Sequence, residues 1–310
     1  VFRNKIINGG MAVDQRNAGA TQTFTAAAAL AYSVDRWYGY CTGANATGAR
    51  IAGTGSQFAY RFTGAASVTA IGFAQRIEQL NSYSLAGQTA TLSVDLANSL
   101  LTTVTWTAYY ANTADTFGSL ASPTKTSIAT GTFTVTSTVT RYQAQITVPA
   151  AATTGIEILF TVGAQTSGTW TIQNAQLEAG SLPTPFEQRP IGMELSLCQR
   201  YCYDAFGQSK GGNYSKFLTG GTVRATTSSA IFGSLPVSMR TIPTLDFSAN
   251  TVLVYSGTVI PSAFAVDGAS TTNTIVAVTV THPTGPSVGS YVFIEANNTQ
   301  AIKAIFSAEL

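Results

Sequence analysis

Thr102 to Tyr110 reads TTVTWTAYY, and Thr89 to Leu96, just upstream, reads TATLSVDL. In the first run Val104, Trp106, Ala108 and Tyr110 fall at every second position, with Thr103, Thr105, Thr107 and Tyr109 between them. A period of two is that of a β-strand with one face on a core and the other toward water. Trp106 is therefore expected in the core, and Trp37 likewise. Tyr109 and Tyr110 point opposite ways, so one of the two is expected outside.

The same pattern extends in both directions. Lys5 to Met11 (KIINGGM), turning at Gly9-Gly10, reads as an opening strand, followed by Tyr32 to Tyr40 (YSVDRWYGY), Phe58 to Phe62 and Val68 to Gln75. Downstream come Thr130 to Val139, Arg141 to Val148, Gly155 to Val162 and Thr169 to Leu177. Some nine or ten short strands separated by turn residues predict an antiparallel sandwich or jelly roll. Alternation resumes at Thr222 to Phe232, Thr251 to Val259, Ile275 to Val280, Ser290 to Glu295 and Ala301 to Ala308, which predicts a second, smaller β body. Met239 to Thr244 (MRTIPT) reads as extended, because Pro243 disfavours the helical region before it.

One long stretch lacks β character. In IGMELSLCQRYCYDA, Ile191 to Ala205, the residues Ile191, Leu195, Cys198, Cys202 and Ala205 lie at steps of four, three, four and three, one face of a helix. Pro190 suits its start and Gly207 its stop. The predicted organisation is all-β: an N-terminal jelly roll over 1–189, a linking helix over 190–206 and a C-terminal β domain over 207–310. A four-three repeat also lets three copies meet on an axis. Ile191, Leu195, Cys198 and Cys202 are thus candidate trimer-axis residues, against the plainer reading that they pack on their own domain. On the axial reading Cys202→Lys weakens a trimer.

Composition narrows function. Only 10% of the 310 residues are charged, against about 25% in an ordinary domain, and the net charge is +2 without a basic cluster. That leaves no electrostatic footprint for nucleic acid or an anionic membrane. No apolar run approaches the roughly 18 residues of a membrane span, and Val1-Phe2-Arg3-Asn4 lacks signal-peptide architecture, so a soluble chain is expected. Starting on Val, it leaves room for a preceding attachment region. Cys41, Cys198 and Cys202 are odd in number and widely spaced, which reads as buried thiols in a protein made in a reducing cytoplasm.

Catalytic chemistry is sparsely provided. The single histidine, His282, lies between Thr281 and Pro283 and reads as a solvated turn residue. HExxH, paired CxxC and P-loop patterns are absent from the sequence. Paired carboxylates alone serve glycoside hydrolysis, but the carboxylates here stand singly, many in turns. No enzyme activity, cofactor or metal is expected. Aromatic rings remain, since sugar rings stack their C–H faces on them. Tyr109 on its strand, and Tyr214 in the Gly-rich loop KGGNYSK with Lys210 and Lys216, are the candidate ligand contacts.

Several phrases resemble a group of tailed-phage and prophage tail fibre proteins. They are Asn4 to Asn17 (NKIINGGMAVDQRN), Val34-Asp35-Arg36-Trp37, Ala74 to Glu78 (AQRIE) and, most specifically, Gln173 to Tyr201 (QNAQLEAGSLPTPFEQRPIGMELSLCQRY). Ser234 to Leu245 (SLPVSMRTIPTL) is similar to a Pro-containing segment of such fibre tips. The resemblance implies a carbohydrate-binding-module-like jelly roll, a variable C-terminal tip and homotrimeric assembly in a virion tail alongside other tail proteins; on this reading the first body is a stem or lobe and the C-terminal body is expected to meet a bacterial surface glycan. Trp37 and Gln176-Leu177-Glu178 read as structural within it. Alternatives are a virion part without receptor contact (collar, baseplate or decoration) and a glycan-cleaving tailspike.

Overall fold

The structure is a computed structural model that describes residues 2–27, 29–206, 216–247, 251–254, 258–296 and 304–310. Contacts divide the chain into two units, one of Val1–Glu194 with Leu310 and one of Leu195–Glu309. Both are built from antiparallel sheets.

Unit 1 is a jelly-roll sandwich of two six-stranded sheets. The first sheet runs in the order β1 (Gln22–Phe24), β4 (Ala46–Ala52), β5 (Phe58–Thr63), β12 (Thr169–Ala179), β7 (Thr89–Asn98), β10 (Thr140–Thr147). The second runs β2 (Ala31–Tyr32), β3 (Trp37–Thr42), β6 (Ala70–Ile77), β11 (Ile156–Val162), β8 (Thr103–Ala111), β9 (Lys125–Thr134). Among the described residues, α1 (Gln79–Ser82) and a 3₁₀ turn (Tyr83–Leu85) separate β6 from β7. The inward positions of each strand meet in one core. Trp37 stacks on Phe73 at 4.8 Å between ring centroids, Tyr60 stacks on the same ring at 4.8 Å, and Phe62 stacks on Trp170 at 5.5 Å. Trp37 and Trp106 are both in this core, as alternation predicts.

Two expectations for the strands of unit 1 need correction. Lys5 to Met11 is no strand. It is a turn-rich segment laid along the far half of β12, with Lys5 N–H donating to Leu177 O (2.8 Å) and Ala175 N–H to Gly9 O (3.0 Å). Gly9 has to be glycine, because a Cβ there would lie 2.1 Å from Ala175 O. Tyr32 to Tyr40 is not continuous either: Ser33 N–H donates to Trp37 O and Val34–Arg36 form the turn between β2 and β3, with Arg36 at φ 73°.

The helix of the linking stretch, α2, spans Ile191–Gln199 and stops earlier than the four-three spacing predicts. Tyr201 N–H donates to Cys198 O, and Cys202–Asp204 then form β13, paired with β22 (Ala304–Ser307). Pairing with a partner a hundred residues away overrides the local helical period. Cys198 and Cys202 therefore do not share a helix face. Both are fully buried within a single chain, whereas Ile191 is 63% exposed. The proposed axial stripe of Ile191, Leu195, Cys198 and Cys202 does not exist as one surface.

In unit 2, β13 and β22 pair with β16 (Thr244–Phe247) in a three-stranded sheet. A seven-stranded sheet runs β18 (Thr258–Val259), β17 (Thr251–Val254), β21 (Tyr291–Ala296), β14 (Lys216–Ala225), β15 (Ser228–Ser234), β20 (Ile275–Thr281), β19 (Ala263–Val266). The run predicted as one strand from Thr222 to Phe232 is the hairpin of β14 and β15. Val223, Ile231, Val278, Val280, Ile294 and Phe306 are central in its core.

Candidate functional site

The outward side of the first sheet of unit 1 carries an open groove. Because Tyr60 and Phe62 of β5, and Trp170 and Ile172 of β12, point into the core, the residues between them point out. Arg61 lies opposite Thr171, Thr63 opposite Thr169, and Thr171 opposite Ala97 of β7. A cavity of about 210 Å³ sits on this floor, walled by Ala52 and Thr54 after β4, Ser99 after β7, and Ser137 and Val139 between β9 and β10.

The groove's lining is chemically narrow. It holds the hydroxyls of Thr54, Ser99, Ser137, Thr169 and Thr171, the Gln173 amide and one charged side chain, Arg61. Hydroxyls both donate and accept, and a guanidinium is a fixed cation with five donors. Arg61 is exposed, and among the described residues its guanidinium has no protein partner. Gln173 is buried and holds the wall: its Nε2 donates to Thr54 O (2.8 Å) and its Oε1 accepts from Thr54 N–H (3.1 Å). A β-bulge follows at once, with Asn174 at φ 51°. Bulges re-aim side chains locally, and here Asn174 Nδ2 donates to Asp95 Oδ2 (2.7 Å). Arg141 closes that edge, donating to Asp95 Oδ1 (3.0 Å) and Ser93 Oγ (2.6 Å).

A second cavity, of about 290 Å³, lies across the Gly55–Gln57 turn and is lined by Asn8, Phe186, Glu187, Arg189 and Glu194 among others. Its polar groups are occupied by the fold. Arg189 pairs with Glu194 (3.2 Å) and donates to the carbonyls of Ile6 and Asn4. Glu187 accepts the N–H groups of Arg3 (3.1 Å) and Asn4 (2.9 Å). Burial pushes the Glu187 carboxyl up, but those N–H donors and the charges of Arg189 and Arg3 outweigh it and hold it below the usual range. Around this point Trp37 Nε1 donates to Asn8 O (3.0 Å), and Gln75 exchanges two hydrogen bonds with the Ile7 backbone (2.7 and 2.8 Å). The phrases that carry the tail-fibre resemblance thus meet in one polar network that closes the sandwich.

The outward side of the second sheet carries tyrosines. Tyr38, Ala74 and Leu159 are buried there, and Tyr32, Tyr40 and Tyr109 pack on them partly buried. Glu157 takes Arg76 (2.9 Å) and Lys125 together, and the Lys125 ammonium lies 4.3 Å from the Tyr109 ring centroid. Burial, then the Glu157 charge, raises the Tyr38 phenol well above its ordinary pKa, against the lowering effect of Arg76. Tyr109 does point away from the main core, opposite Tyr110. Its ring is engaged by Lys125 rather than presented bare.

Of the other candidate contacts, Lys210 and Tyr214 lie outside the described residues, as does the side chain of Lys216, whose backbone opens β14. His282 is not solvated. It is 2% exposed, with Nε2 2.9 Å from Ser229 Oγ and Nδ1 2.9 Å from Pro283 O. A backbone carbonyl stands where a triad would need a carboxylate, and Ser229 is itself buried. Among the described residues no group of three or more His, Cys, Asp or Glu is placed to hold a metal, and no helix is long and apolar enough to cross a membrane. Arg61, Thr171 and Gln173 are the residues that sequence reading passed over. Their signal is the polar parity of FAYRFT and TWTIQ, whose outward set becomes a site only when the strands are neighbours.

No protein-family model matches the sequence, and no curated protein does. Among solved structures, the chain is similar to the enzymatically active domain of bacteriophage CBA120 tailspike protein 4, at 17% identity and TM-score 0.36. That match covers 57% of this chain and 21% of the tailspike chain. It is similar to a CBM4 carbohydrate-binding module at 16% identity and TM-score 0.36, over 56% of this chain and 98% of the module. It is also similar to the module TmCBM61, solved with β-1,4-galactotriose, at 11% identity and TM-score 0.36, over 58% of this chain and 100% of the module.

Proposed function

We propose that this chain is a virion tail fibre protein that recognises a glycan on the bacterial surface through unit 1, binding without cleaving. The observation that carries the reading is the open 210 Å³ groove whose polar lining is mainly hydroxyls and one guanidinium. Such a lining exchanges hydrogen bonds with sugar hydroxyls at little desolvation cost, because every group keeps a partner when water leaves. The tail-fibre phrases in the sequence support the virion setting, with assembly in the host cytoplasm as a homotrimer beside other tail proteins.

What lines the groove supports binding without chemistry. Glycoside hydrolysis calls for two carboxylates, one with a raised pKa, and the groove has none. In the neighbouring cavity Glu187 and Glu194 are consumed by backbone N–H groups and Arg189, and Glu187 is shifted in the wrong direction for an acid catalyst. The test is the solution mass of the chain by light scattering, followed by binding to intact bacterial cells and a reducing-end assay on their surface polysaccharide. A cell-binding trimer that releases no reducing ends fits the reading. Absence of cell binding points instead to a virion part without receptor contact, and released ends to a tailspike.

A further inference from the structure

We infer that the groove selects an acidic saccharide, with the Arg61 guanidinium paired to the carboxylate of a uronate residue. This rests on the glycan-binding reading and names the class of glycan.

Arg61 is held in a central position. It projects from β5, which is hydrogen-bonded on both sides, to β4 and β12, so its Cα is fixed while its guanidinium is free. On the same face Arg141 is tied to Asp95 and Ser93. Arg61 has no protein partner among the described residues, and the groove contains no Asp or Glu to offset it. Asp95, beside Gln173 at the groove's edge, is already paired with Arg141, so Arg61 is left as the uncompensated charge of the lining and draws an anionic group to that point.

Charge count and shape together narrow the anion. One guanidinium neutralises one negative charge, which a uronate carries. A phosphomonoester, at about −1.5 to −2, would be left partly uncompensated. The planar fork of Arg also matches a planar carboxylate by two parallel N–H···O bonds. Around it, Thr171, Thr169, Ser99 and Thr54 supply hydroxyls for the ring oxygens of the same sugar.

The experiment uses the full 310-residue chain on an array of uronate-bearing capsule oligosaccharides, each printed beside its carboxyl-reduced neutral form and beside sulfated and phosphorylated analogues. Uronate forms are expected to bind preferentially. Arg61→Ala should lose about fivefold or more, and Arg61→Lys, which keeps the charge but not the fork, should lose less. Because Arg61 is exposed, both variants should keep the parent's thermal midpoint, and uronate binding should weaken between 50 mM and 500 mM salt as screening grows. Equal binding of acid and reduced forms, unaffected by Arg61→Ala, would overturn the inference while leaving glycan binding intact. Tighter binding of sulfated or phosphorylated analogues would overturn the carboxylate assignment. No binding to any member would overturn the glycan reading and this inference with it.

Discussion

The Gln173 side chain grips the backbone of Thr54 from both sides, donating to its carbonyl at 2.8 Å and accepting from its N–H at 3.1 Å. A primary amide is the side chain that can do both at once. Through this pair a buried position on β12 fixes the wall of the groove on the far side of β5.

Gln173→Ala removes both bonds and leaves the Thr54 groups to water. Unit 1 should lose about 1–3 kcal/mol in urea unfolding, and saccharide affinity should fall with it. An affinity equal to the parent's in a folded variant would count against the wall having any part in binding.

Asn8 organises the N-terminal segment. Its Nδ2 donates to Val13 O (2.8 Å) and Asp35 O (3.0 Å), its Oδ1 accepts from Val13 N–H (2.9 Å), and its φ is 57°. Asn8→Ala loses these bonds and adds left-handed strain, for a loss of about 3 kcal/mol or more. Asn8→Gly relieves the strain and should cost less. Equal losses for the two would show that the backbone conformation contributes nothing.

Two carboxyls set an acid limit on unit 1. Burial raises the Glu178 pKa, but Thr184 N–H, Thr184 O–H and Gln176 lower it further, and Glu187 behaves likewise. With folded values below the unfolded 4.5, both groups contribute their stability fully above that value and lose it as pH falls through the folded values. Glu187→Gln should be less stable than the parent at pH 7 and should show a flatter decline below about pH 5. Parallel pH profiles for parent and variant would refute the assignment.

Cys202 is fully buried and sits on β13 opposite Ser307. Cys202→Lys places a cation in a packed apolar site, so unit 2 should lose about 3 kcal/mol or more. Thermal unfolding at several concentrations separates this from an assembly defect: the loss should be independent of concentration. A midpoint that rises with concentration in the parent but not in the variant would restore an interface role.

Legibility varied with the range of the interaction. The tyrosine pair of TTVTWTAYY divides as alternation requires, Tyr110 packing against the main core and Tyr109 outside it. β4, with its small residues ATGARIA, gave no alternation to read, and it forms one flank of the groove. The phrases that carry the tail-fibre resemblance were visible as words. That they converge on the Asn8, Arg189 and Glu194 contacts was not.

Sequence alone determined the all-β class and the facing of most strands, because the period of two is imposed by each strand's own backbone. It also determined that charge is scarce, which makes each unpaired cation informative. Tertiary structure decided where α2 ends, since pairing of Cys202–Asp204 with Ala304–Ser307 competes with a local helical preference of similar size. It alone decided the groove. Arg61, Thr171 and Ala97 become neighbours only through the register of three strands, and register is a contact between distant segments that no local pattern records.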